Sequence, residues 1–116
     1  MPREDEIIID LQSKVDSAKT PLEKATALNN LLTKLRYDIA FSDAMPLLSE
    51  ALDLTDIPDG IPENYQQRAR TLSLHAIVMR NHGEYEIALS SAKTALSYYE
   101  QFGDIEQQAH LHNSIG

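Results

Sequence analysis

The chain has 116 residues, 42% of them hydrophobic, with 18 acidic against 10 basic side chains and no cysteine. That is enough apolar material for one domain with a continuous core and too much for a disordered segment. A formal charge of −8 argues against nucleic acid, the missing cysteines exclude disulfides and thiolate metal sites, and short apolar runs such as Ile7 to Ile9 exclude a membrane span.

The opening MPREDEIIID is acidic and lacks the basic start of a secretory signal, so a cytoplasmic location is expected. Ile7, Ile8, Leu11, Val15 and Ala18 recur at helical spacing, which predicts a first helix over 4–18. Thr20-Pro21-Leu22-Glu23 is a helix start: Thr20 as N-cap, Pro21 in the first turn, and Glu23 completing a capping box. The helix it opens carries Ala25, Leu28, Leu31, Leu32 and Leu35 on one side and is expected to reach Tyr37. Ser42 or Asp43 is the expected cap of the next helix. This places Pro46 in the tolerant first turn and turns Ala44, Leu47, Leu48, Ala51 and Leu52 inward. The segment 55–62, TDIPDGIP, reads as a loop. A long helix then runs from Pro62 or Glu63 to about His82, and Gly83 ends it. The following helix, from Tyr85 to about Gln101, places Tyr85, Ala88, Leu89, Ala92, Ala95, Leu96 and Tyr99 on one stripe, with Tyr98 outward. Asp104 caps a last helix carrying Ile105, Ala109, Leu111 and Ile115. No stretch shows β alternation.

The helices repeat. Ala88, Ala92, Ala95 and Leu96 have counterparts in Ala44, Leu48, Ala51 and Leu52, and Tyr85 in Phe41, at an offset of 44 residues. Ala69, Leu72 and Met79 match Ala25, Leu28 and Leu35, while Ala109 and Ile115 begin a third copy. With the small residue Ala76, the turn Gly83-Glu84-Tyr85, Ala88 and the pair Ala95-Leu96, the chain resembles the tetratricopeptide repeat family over roughly residues 22–116. The resemblance implies an all-α, right-handed superhelical array of antiparallel helix pairs, about six helices in all. Its parts are a first repeat at 22–54, the loop at 55–62, a second repeat at 63–103 and the start of a third at 104–116. Leu72 replaces the usual bulky aromatic, and Leu32 stands where the central copy has Ala76.

Catalytic and metal readings fail on spacing. His110 and His112 lie two residues apart and point about 200° apart on a helix. Asp53, Asp56 and Asp59 are spaced by three and do not form a calcium loop. No nucleophile elbow is present, and four glycines form no phosphate cradle. No cofactor, metal or catalytic residue is therefore expected. His75 reads as a partly buried, hydrogen-bonded side chain and His82 as a group at a helix C-terminus.

What remains is a binding face. In the family it resembles, the first helix of each pair lines the concave surface. Here that selects Thr26, Asn29, Thr33, Arg36 and Tyr37 in the first repeat, Arg70, Ser73, Ile77, Arg80 and Asn81 in the second, and His110 and Asn113 in the third. Three arginines on one face of an acidic protein suit an anionic or peptide ligand; pairing with nearby acids would make them merely solubilising. The lysine–asparagine carboxylate clamp of chaperone adaptors is unmatched, since Asn29 and Ser73 stand where its lysines would be.

The long period and the ending YYEQFGD look similar to repeat regions of bacterial signalling proteins. These precede nucleotide or diguanylate cyclases, histidine kinases or transcription regulators. The expectation is a non-catalytic protein-interaction or sensory module, excised from a longer protein within its third repeat. The alternative is a structural scaffold that self-associates through Leu111 and Ile115 of an uncapped last helix.

Overall fold

The structure, a computed structural model, describes residues 4–56 and 61–102. They form five helices and no strand: α1 (Glu4–Ser17), α2 (Pro21–Leu35), α3 (Phe41–Thr55), α4 (Pro62–Asn81) and α5 (Tyr85–Phe102). Among the described residues no helix is long and apolar enough to cross a membrane. The expected sixth helix lies outside the described residues.

Contacts between helices fix their directions. His75 meets Ser91, and Tyr65 stacks on Tyr98, so residue numbers rise along α4 as they fall along α5 and the pair is antiparallel. Lys24 pairs with Glu50, and Leu32 packs with Ala44, which makes α2 and α3 antiparallel as well. Between α2 and α4, Asn29 reaches Gln67 and Thr71 while Thr33 meets Arg70, so these two helices run parallel. Helix α1 packs on α2, and its half-buried residues are Ile8, Leu11 and Val15.

The start of α2 follows local chemistry. Thr20 Oγ1 accepts the Glu23 N–H at 3.1 Å, while the Glu23 carboxylate accepts the Lys19 N–H at 3.0 Å, one residue before the position of a standard capping box. The helix stops at Leu35, short of Tyr37, because Asp38 and Ile39 both donate to the Leu35 carbonyl and turn the chain. Helix α3 starts at Phe41 with Ala40 at the N-cap, so neither Ser42 nor Asp43 caps it. Pro46 is consequently inside the helix and withholds the N–H that the Ser42 carbonyl would receive. Both residues are exposed, so water can reach that carbonyl. At the end of α4, Gly83 adopts φ +87° while its N–H donates to Arg80 and that of Glu84 to Met79, the paired bonds of a Schellman turn.

Two apolar clusters form the core. One joins Leu32, Ala44, Leu48, Leu74, Val78, Met79 and Ala88 across α2 to α5. The other, Ala69, Ala76, Ala92, Ala95 and Tyr99, lets α4 and α5 approach closely because most of its members are alanine. The α5 stripe is narrower than expected. Tyr85 and Leu89 are 69% and 42% exposed, whereas Ser91 is buried in their place. Tyr98 is half-buried on Tyr65, with ring centroids 6.0 Å apart, and does not face outward.

Polar side chains tie the first hairpin to α4. Asn64 donates to the Thr55 carbonyl at 2.9 Å and Arg68 to the Leu52 carbonyl at 2.8 Å, which caps the last turn of α3 from a neighbouring helix. Asn29 is completely buried; its amide donates to the Gln67 carbonyl and to Gln67 Oε1, both at 3.0 Å. Its oxygen lies 2.7 Å from the Thr71 hydroxyl. Replacing Asn29 by alanine strips these partners inside a dry contact. The Asn29→Ala chain is expected to lose about 2–3 kcal/mol of unfolding free energy in urea titration. A loss below about 0.5 kcal/mol, the level of an unremarkable surface change, would contradict this account of the α2–α4 contact.

Candidate functional site

The candidate face is the side of α2 and α4 that carries the expected groove residues, and the structure divides them. Asn29 is removed from it: a fully buried amide with all its partners on α4 holds two helices together and meets no ligand. Thr33 is half-buried, donating its hydroxyl proton to the Asn29 carbonyl at 2.7 Å while the same oxygen accepts from Arg70 Nη2 at 3.1 Å. Arg36 Nη1 donates to the Thr33 backbone carbonyl, and the Arg36 guanidinium carbon lies 4.7 Å from the centre of the Tyr37 ring. Two guanidinium groups, one from the residue that follows α2 and one from α4, therefore meet the same threonine.

The other groove residues are arranged around that pair. Ser73 is half-buried and spends its proton on the Ala69 carbonyl at 3.0 Å. Thr26 does the same to the Leu22 carbonyl at 2.8 Å, a habit of helical threonine and serine. Ile77 is half-buried, and Arg80 and Asn81 are exposed. His110 and Asn113 lie outside the described residues, as do Leu111 and Ile115. Sequence reasoning missed Gln67, Thr71 and Arg68, whose roles depend on partners in another helix.

No carboxylate among the described residues forms an ion pair with Arg36, Arg70 or Arg80, whereas Asp10 pairs with Lys14 and Glu50 with Lys24. Burial lowers the Arg70 pKa from its ordinary value, and the nearby Tyr99 hydroxyl partly opposes the shift. Arginine remains charged at any physiological pH, so a half-buried cation stays without a counterion among these residues.

At one end of the face lies a cleft of about 90 Å³ between the α2–α3 turn and the end of α4. Arg36, Tyr37, Asn81 and His82 supply its polar lining, and Ile39, Phe41 and Val78 its apolar wall. His82 is stacked on Phe41 with ring centroids 4.0 Å apart and an interplanar angle of 13°. Among the described residues no three histidine or acidic side chains gather as metal ligands. No family model, curated protein or solved structure matches the chain.

His75 sits away from this face, between α4 and α5, with Nδ1 2.6 Å from the Ser91 hydroxyl. Burial pushes its pKa down from the ordinary value. The unfolded imidazole therefore takes up a proton that the folded one resists, so His75 makes stability decline as pH falls through about 6.5, with no such effect above it. His75→Gln is expected to lose less melting temperature than the parent chain between about pH 7.5 and pH 5.5. Equal losses in the two proteins would remove His75 as a source of the pH dependence.

Proposed function

We propose that this chain is a non-catalytic interaction module whose α2–α4 face takes an acidic segment of a partner protein. The observation that carries this reading is the convergence of Arg36 and Arg70 on Thr33, without a carboxylate partner among the described residues, in a chain of net charge −8. Self-pairing would be the simplest fate for arginines in so acidic a protein. An external carboxylate gives each guanidinium the planar, two-pronged partner it lacks.

The parallel course of α2 and α4, each followed by an antiparallel partner, supports the finer reading of a tetratricopeptide-like array. On that reading the chain is a cytoplasmic regulatory segment of a bacterial signalling protein whose output is a cyclase, a histidine kinase or a transcription regulator. A scaffold that self-associates is the second reading. The exposed Tyr85, Ile87 and Leu89 on α5 favour it.

A fluorescent hexaglutamate peptide is the probe. It is expected to bind the chain in a salt-sensitive way, with hexaglutamine failing to bind. Arg70→Gln is expected to weaken binding about tenfold, and Arg80→Gln less because that side chain is exposed and binds rim-like. Undiminished binding by the Arg70→Gln, Arg80→Gln double variant would reject the groove. Concentration-dependent mass in light scattering that Leu89→Lys abolishes, with no peptide binding, would favour the scaffold.

A further inference from the structure

We propose that the cleft at the end of α2 and α4 is a seat for one glutamate side chain of a partner protein. This rests on the reading of the chain as an interaction module and assigns a second contact, which shares Arg36 with the groove and adds Asn81 while leaving Arg70 outside it. The cleft, of about 90 Å³, has room for a carboxylate on a short apolar stem. The lining contains no carboxylate. Arg36 and Asn81 would hold the carboxylate, while Ile39 and Val78 would meet the methylenes. A phosphate group has nothing to place on that apolar wall.

The walls are already fixed. His82 is held flat against Phe41, and Arg36 is anchored by the Thr33 carbonyl and the Tyr37 ring. Among the described residues that single hydrogen bond engages the Arg36 guanidinium, which has five N–H donors to offer. Helix α2 and helix α4 both end here, and bare carbonyls would repel a carboxylate. The carbonyls of Leu35, Met79 and Arg80, however, already accept bonds from Asp38 and Ile39, from Glu84, and from Gly83. Helix α3 begins at the same place with no side chain capping its first N–H groups, which adds partial positive charge. Arg36 is the group in the lining that attracts an anion.

The test is a nuclear magnetic resonance titration of the full chain with N-acetyl-glutamate methylamide, set against the glutamine analogue and inorganic phosphate. Saturable shifts are expected at the Arg36 Nε–H, the Asn81 side-chain amide and the His82 backbone, with the glutamine analogue giving none and phosphate binding more weakly. Asn81→Leu, a change at an exposed residue, is expected to weaken binding about tenfold, as is Arg36→Gln, with thermal melts confirming that both fold. Arg70→Gln is expected to leave this titration unchanged. Equal binding of the glutamine analogue or of phosphate would overturn the proposal, as would titrations unaffected by both variants. Hexaglutamate binding that depends on Arg70 while the cleft stays silent would reject the cleft alone; the reverse would reject the groove alone.

Discussion

The fold depends on how close α2 and α4 can come. Two parallel helices from different hairpins have no short turn to hold them together, so side chains must do it. A buried amide contributes the directional part: Asn29 spans the gap and meets three atoms on α4, the Gln67 carbonyl, Gln67 Oε1 and the Thr71 hydroxyl. Leucine in its place would offer area without direction, and parallel helices could then slide past one another. The buried polar contact sets the register, and the register decides which residues of each helix share a face. Arg70 reaches Thr33 only because Asn29, one turn earlier, is aligned with Gln67.

The two hairpin contacts use a different means. Between α4 and α5 the small residues Ala69, Ala76, Ala92 and Ala95 remove the obstacle to close packing, and Tyr99 fills the remaining space. The contact gains from shape, and His75 with Ser91 adds a polar contact to it. Half-burying an imidazole there gives this contact a group that titrates near neutrality, whereas the amide network between α2 and α4 contains none.

Much of the framework was legible in the residues. The Thr20 N-cap and the Gly83 stop act through chemistry within a turn of themselves and fall as read, while Glu23 bonds the Lys19 N–H in place of the expected capping-box partner. The errors share a cause. Asn29 looked like a surface residue because nothing near it in sequence reveals Gln67, which lies on another helix. Ser91 was unremarkable until His75 stood beside it, and Tyr85 and Leu89 continued an apolar stripe that the fold covers only in part. Pro46 was placed in the first turn because Ser42 and Asp43 are good caps, yet the turn after Leu35 lets the helix begin earlier, at Phe41. Of the candidate face, the arginines could be read; their meeting on one threonine could not, since it needs the register of two helices.

The bonds from Asn64 and Arg68 to the carbonyls of Thr55 and Leu52 carry a consequence for how the chain can be divided. By composition the proline-rich segment at 55–62 invites a cut into two independent hairpins. The last turn of α3 is held by its own Thr55 hydroxyl and Asp56 N–H and also by donors that arrive with α4, so the first hairpin in isolation loses two of the bonds at its end. Order passes from one hairpin to the next through those two donors, and the cooperative unit is larger than the visible structural one.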